Sequence, residues 1–222
     1  MNTLGTHALR RSEKARRAAR RAGFTLIELL AVLLILAILI AILVVNFGPA
    51  IGATEEGVTR ALLGQIDAAL RDYSDERGSF PASQLPTDLG TPPNGLNVGA
   101  ECLYLALCTE GAPGFGVLDK QEKLSNTDGD ALAKRPKGFE SSDLFEICDA
   151  WGNPVAYIQA ADYEREFNCA TVDRDGAAQE SSVRAAKNPK TGRWQEPNGF
   201  QLVSAGLDGV FGTADDLTNF KK

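Results

Sequence analysis

Acidic side chains are the main chemical resource of this 222-residue chain, and they come in clusters. Asp208, Asp215 and Asp216 fall within nine residues of a glycine-rich stretch running from Ser204 to Phe220. Carboxylates and backbone carbonyls are hard oxygen ligands, a set that suits Ca²⁺ better than a transition metal. Three carboxylates so confined also repel one another. Taken alone the stretch reads as a solvated acidic turn. Two further clusters invite the same question. Asn126-Thr127-Asp128-Gly129-Asp130 lacks the glycine and terminal Glu of an EF-hand in register. Thr171-Val172-Asp173-Arg174-Asp175-Gly176 has the glycine, but it begins with Thr and reaches Ser182 where the bidentate Glu belongs. Both read as solvated turns.

Other chemistries are excluded by composition. The single histidine, His7, lies in a basic leader, so no His-dependent triad and no His-ligated zinc site can be built in the body of the chain. No nucleophile and base pair is identifiable, and the chain reads as non-enzymatic. Gly111-Ala112-Pro113-Gly114-Phe115-Gly116 follows no clear strand and opens no helix, which makes it a glycine-rich loop and not a phosphate cradle. Residues 1–23 hold seven of the 23 Lys and Arg and one of the 29 acids, leaving 16 bases against 28 acids beyond Gly23. So acidic a body is a poor binder of phosphate backbones, and nucleic acid is set aside as a partner. Cys102, Cys108, Cys148 and Cys169 show no Cys-x-x-Cys spacing. An even number of cysteines beyond a membrane-type segment reads as two disulfides in an oxidising compartment, with Cys102 to Cys108 and Cys148 to Cys169 as the expected pairs of the three connectivities. The alternative is four buried thiols.

From Leu29 to Val45 the chain is apolar without a break, and Phe24 to Ile27 extend the run backwards past one acid, Glu28. As a helix, Phe24 to Phe47 would be ~36 Å long, enough for a bilayer core of ~30 Å. The basic leader would keep the N-terminus cytoplasmic and send the acidic body outside. An ordinary secretory signal, cut at Ala50-Ile51-Gly52, would release a periplasmic binding module, but such apolar regions run only ~7–15 residues. Neither that signal nor a plain anchor gains from Glu28, because an acid in a membrane helix costs ~2.5–3.5 kcal/mol near the centre and is by default functional.

Arg20-Arg21-Ala22-Gly23-Phe24-Thr25-Leu26-Ile27-Glu28 resembles the class III signal of type IV pilins and type II secretion pseudopilins. The resemblance implies that prepilin peptidase cuts after Gly23 and methylates the new N-terminus at Phe24. It also implies that Glu28 pairs with the Phe24 amine of a neighbouring subunit, since an unpaired buried charge costs far more than a paired one. Three further stretches resemble major pseudopilins. These are Ile66 to Tyr73 followed by Gly78-Ser79-Phe80-Pro81, with Phe80 where the family has Tyr; the turn Asp149-Ala150-Trp151-Gly152-Asn153-Pro154; and Ser204 to Phe220, which resembles the family's C-terminal calcium loop. On that resemblance Asp208, Asp215 and Asp216 are the expected side-chain ligands of one structural Ca²⁺. The implied partners are further copies in a helical homopolymer, minor pseudopilins, prepilin peptidase and an inner-membrane secretion platform. The implied location is the inner membrane with the head in the periplasm, and then a periplasmic pseudopilus. A type IV pilus subunit is the near alternative.

The elements that must position these residues follow from periodicity. Gly48-Pro49 is expected to loosen or kink the helix. Val58, Leu62, Ile66, Ala69 and Tyr73 then recur at helical spacing against a polar side of Glu55, Arg60, Gln65, Asp67 and Arg71. Residues 82–99 and 109–138 read as loops, and Cys102 to Cys108 as a short helix or buried strand. Pro154 to Gln159 and Gly199 to Ser204 read as strands. The expected fold is α+β, a pilin-like roll in which one long N-terminal helix packs its amphipathic half on a small antiparallel sheet. Its parts are a leader (1–23), an assembly helix (24–47), an amphipathic continuation (48–75) and a periplasmic head (76–222). The segment between Tyr157 and Ser204 is about twice as long as in the resembled family and is expected to be an exposed insertion.

Overall fold

The computed structural model describes residues 25–86, 89, 94–109, 111–112 and 123–220, except for the side chains of 42–53. Gly23 and Phe24 lie outside the described residues. The architecture is α+β, as expected: a long helix α1 (Leu26–Arg77), a short helix α2 (Val98–Leu107), and strands β1 (Leu124–Ser125), β2 (Glu146–Ile147), β3 (Ala156–Gln159), β4 (Glu166–Val172), β5 (Ala178–Arg184), β6 (Phe200–Ser204) and β7 (Leu217–Thr218). All pairings between these strands are antiparallel, with β3-β6-β7 as the central sheet, β4-β5 as a hairpin and β1-β2 as a minimal ladder. The chain divides into two compact units between Phe47 and Gly48. Helical backbone continues through Gly48-Pro49.

In the first unit the large apolar side chains from Leu26 to Ile40 are roughly half or more exposed. Among the described residues no helix is long and apolar enough to cross a membrane. The expected span over 24–47 includes residues outside those described.

In the second unit α1 buries Thr59, Leu62, Leu63, Ile66, Ala69 and Leu70. This is the expected stripe with one correction at its start. Val58 is 49% exposed, and Thr59 takes the inward position, where its Oγ1 accepts from Ala150 N at 3.1 Å. Period-2 alternation then divides β3 and β6 between two cores. Val155, Tyr157, Phe200 and Leu202 pack with α1 and α2, while Ala156, Ile158 and Val203 pack on the other face with Phe167, Cys169 and Val183 of the β4-β5 hairpin. The extra segment is therefore not simply an exposed insertion. It covers the second face of the central sheet, and Gln201 of β6, fully buried, fixes it by accepting from Ala186 N at 2.6 Å and donating to Ala186 O and Gln195 O.

Cys102 lies within α2 and Cys108 caps its C-terminal end, and this overturns one expected disulfide. Six residues of α-helix separate two Cα atoms by ~9 Å along the axis, beyond the ~4.4–6.8 Å a disulfide spans. Cys148 and Cys169 are likewise unbridged, and all four cysteines are buried as thiols. Burial, the largest influence at each of Cys102, Cys148 and Cys169, pushes their thiols up and away from reactive thiolate.

α2 lies close to β3 because Gly99 has no side chain: a Cβ there would collide with the Tyr157 carbonyl oxygen. Gly64, on the exposed side of α1, has open space around it. Gly99→Ala is expected to destabilise the head by ~1–3 kcal/mol through overpacking, whereas Gly64→Ala should stabilise it by ~0.5–1 kcal/mol through helix propensity. Thermal melts of the two variants check the opposite signs.

Candidate functional site

Helix α1 opens with a capping box. Thr25 precedes the first helical residue, and its N–H and Oγ1–H both donate to Glu28 Oε2 at 2.8 Å. Glu28 N–H donates back to Thr25 Oγ1 at 3.3 Å. This is the Ser/Thr-x-x-Glu pattern, in which two backbone donors left over at a helix start are satisfied reciprocally. It is legible in the sequence, yet the reading of Glu28 as an intermolecular partner passes over it. Both Thr25 bonds use Oε2, which leaves Oε1 for a second partner.

The C-terminal acids are held by their own loop. Asp215 Oδ2 accepts from Leu207 N at 3.0 Å and Asp208 N at 3.2 Å, and Asp215 Oδ1 accepts from the Thr213 hydroxyl. Asp208 Oδ1 accepts from Val210 N, and Asp216 Oδ2 from Gly212 N. Burial works to raise the Asp215 carboxyl, but the Thr213 hydroxyl and the loop N–H groups outweigh it and hold the group below its ordinary range. Gly206 and Gly209 adopt φ of +66° and +67°, the left-handed backbone that lets the loop reverse. Outside the loop, Thr171 Oγ1 and Gln179 Nε2 donate to the carbonyls of Gly209 and Asp208, anchoring it to the β4-β5 hairpin. The three expected ligands thus share one loop but do not converge as a carboxylate trio at ligating distance.

Among the described residues the carboxylates that do converge are Glu101, Asp128 and Glu146, each offering an oxygen within 4.8 Å of the others. Glu101 is in the first turn of α2, and Glu146 is in β2. Asp128 sits in the 126–130 loop, which the Asn126 side chain folds by accepting from Gly129 N and Asp130 N and donating to Asp130 O. Asn97, at the start of α2, donates to Glu146 Oε1 at 3.2 Å and Thr127 Oγ1 at 2.9 Å. Thr127 N–H donates to Glu146 Oε2 at 2.8 Å. Asp130 is only 5% exposed and lies beside Glu101, so this loop is not the solvated turn expected from sequence. Glu101 and Glu146 carried a weak signal, an acid inside an apolar run in Ala100-Glu101-Cys102-Leu103 and Phe145-Glu146-Ile147.

Burial is the largest influence on these groups, and repulsion adds to it. It pushes Glu101 well above the carboxylate range, helped by the charges of Asp130, Asp128 and Glu146. It raises Asp130, with Asp128 adding to the shift, and it raises Glu146 to about 7. Asp149, nearby in sequence, is raised to about 6, again chiefly by burial. A carboxyl whose folded pKa lies above its unfolded value contributes stability that is complete below the unfolded pKa and lost as pH rises through the folded one. For Glu146 and Asp149 that window runs from their ordinary values of 4.5 and 3.8 to about 7 and about 6. In chelator, the melting temperature of the full chain in detergent is therefore expected to fall by several degrees between about pH 5 and about pH 8. A flat or rising profile would contradict the electrostatics of the cluster.

Residues 18–44 match a family model described as the prokaryotic N-terminal methylation motif, a range that takes in Gly23, Phe24 and Glu28. No curated protein and no solved structure matches the chain. The chain carries a prokaryotic N-terminal methylation motif, which supports processing by prepilin peptidase, anchoring in a membrane before assembly and homopolymerisation, and is consistent with a type IV pilin-like protein.

Proposed function

We propose that this protein is a non-enzymatic structural subunit, cut after Gly23, methylated at Phe24 and polymerised through α1 into a periplasmic pseudopilus of a type II secretion system. The observation that carries the reading is the start of α1. A capped helix begins two residues beyond the cleavage site and presents exposed apolar side chains from Leu26 to Ile40, a surface suited to lipid before assembly and to neighbouring helices after it. Minor pseudopilins and an inner-membrane secretion platform would be its partners. The extra β4-β5 hairpin favours the second reading, a type IV pilus subunit, because it adds a surface beyond the resembled pseudopilin head. On the C-terminal loop, Asp208, Asp215 and Asp216 supply only oxygen donors, and their chemistry fits one structural Ca²⁺.

Capping and charge pairing at Glu28 can be separated. Gln serves as well as Glu in a capping box, so Glu28→Gln keeps the helix start and removes the charge, while Glu28→Ala removes both. Both variants are expected to be processed to N-methylated Phe24 and to fail in filament assembly. Normal filaments from Glu28→Gln would show that charge pairing is dispensable. Gly23→Val is expected to block cleavage, and a mature N-terminus at Ala53 would mean ordinary secretion instead. For the C-terminal ion, calcium should raise the melting temperature of the full chain less in Asp216→Ala than in the wild type, because an ion bound only by the native state stabilises by mass action, by ~2.7 kcal/mol at a hundredfold excess over Kd. Equal calcium responses would remove that ion.

A further inference from the structure

We infer that Glu101, Asp128, Asp130 and Glu146 form a buried site for one hard divalent cation of the calcium type, separate from the C-terminal loop. The site lies where the first turn of α2, the 126–130 loop and β2 meet. Glu101 is fully buried, and neither of its carboxylate oxygens has a hydrogen-bond partner. Asp130, 5% exposed, has two oxygens in the same condition, and Asp128 contributes a fifth at Oδ2. Glu146, also fully buried, is oriented by Asn97 and Thr127, and each of its oxygens keeps a lone pair for another partner.

Unpartnered charge of this kind is expensive. A buried polar atom without a partner costs ~1–3 kcal/mol, and more when it is charged. None of the ion pairs among the described residues reaches the cluster, and the side chains that act on Glu101, Asp130 and Glu146 include no Lys or Arg. The helix N-terminus at Glu101 supplies only about half an elementary charge. A divalent cation supplies the missing compensation, and the spacing suits one. Two oxygens on one ion at ~2.4 Å can be no more than ~4.8 Å apart, and the oxygens offered by Glu101, Asp128 and Glu146 meet that limit. No thiol or imidazole belongs to the set, which selects oxygen-seeking ions over zinc. Four acids from three separate elements would then be joined by one ion, closing the 126–130 loop onto α2 and β2.

The alternative is a proton shared between Glu101 and Asp130, and the experiment separates the two. The full chain in detergent, stripped with chelator, is titrated with calcium chloride by calorimetry and followed by thermal unfolding at neutral pH. Magnesium and zinc are run in parallel. The variants are Glu101→Gln, Asp128→Asn and Asp216→Ala. The expected result is that Asp216→Ala still binds calcium, and that Glu101→Gln and Asp128→Asn each lose about tenfold or more in affinity at one site. Glu101→Gln should also melt higher than the wild type in chelator, because its folded state no longer has to hold a proton that the unfolded chain releases at neutral pH, while losing most of the calcium-induced rise. Asp128 is only half-buried, so its variant keeps the test alive if Glu101→Gln folds poorly. Unchanged calcium binding in both cluster variants would overturn the site. So would loss of all calcium binding in Asp216→Ala, a preference for zinc, or absence of any calcium effect on the wild type, the last result favouring the shared proton. None of these outcomes bears on cleavage after Gly23.

Discussion

The turn from Asp149 to Asn153 is the constraint on which the rest of the head depends. Asp149 Oδ1 accepts from Trp151 N and Asn153 N, closing the turn, and Oδ2 accepts from the Ser204 hydroxyl at the end of β6. Asn153, fully buried, accepts from Val172 N at the end of β4 and donates to Gly206 O in the C-terminal loop. Trp151 Nε1 reaches Glu55 on α1 at 2.8 Å, and Ala150 N reaches Thr59. Five consecutive residues thereby fix the long helix, the central sheet, the hairpin and the C-terminal loop against one another. Buried polar groups of this kind specify an arrangement because each wrong arrangement leaves one of them unpaired.

The same physics divides the acidic residues into two populations. Asp149, buried, and Asp215, exposed, are both surrounded by N–H and O–H donors that compensate their charge. No hydrogen-bond donor reaches the carboxylate oxygens of Glu101 and Asp130, and the charges beside Glu101 are those of other carboxylates. Burial alone does not mark a site, since the charge on Asp149 is accounted for by the turn it closes. What distinguishes Glu101 and Asp130 is burial together with a lack of donors.

The parts of this fold that were legible in the sequence are those in which one local signal decides the outcome. The inward spacing of Leu62, Ile66 and Ala69, the strand at Phe200 to Ser204 and the start of the helix beyond Gly23 all rest on periodicity or a short motif. Val58 departs from its expected inward place because hydrophobicity favours Val at a buried position, whereas the Ala150 N–H is met there by the Thr59 hydroxyl. The hairpin's role was illegible for a different reason. Phe167, Cys169 and Val183 alternate correctly for strands, but nothing local says that the far face of β3 and β6 is what they cover. The acid cluster was hidden in the same way: Glu101 and Glu146 are 45 residues apart, and only the tertiary fold brings them to Asp128.

Helix α1 combines two solvent requirements in one element, and Glu28 is where they meet the chemistry of processing. Cleavage after Gly23 would replace a peptide bond with an amine one residue before the cap, at the positive end of the helix dipole, where added positive charge is unfavourable. The Glu28 carboxylate already faces that end through Thr25. It can offset the new charge within its own chain or, through Oε1, on a neighbour. The intramolecular arrangement is available to a lone subunit in lipid. Pairing between subunits becomes the better arrangement only when the apolar surface from Leu26 to Ile40 is packed on other helices and water is excluded, which strengthens each electrostatic contact. One carboxylate thus serves the isolated helix and the assembled one, and the energetic difference between those states is set by the packing of the apolar side chains around it.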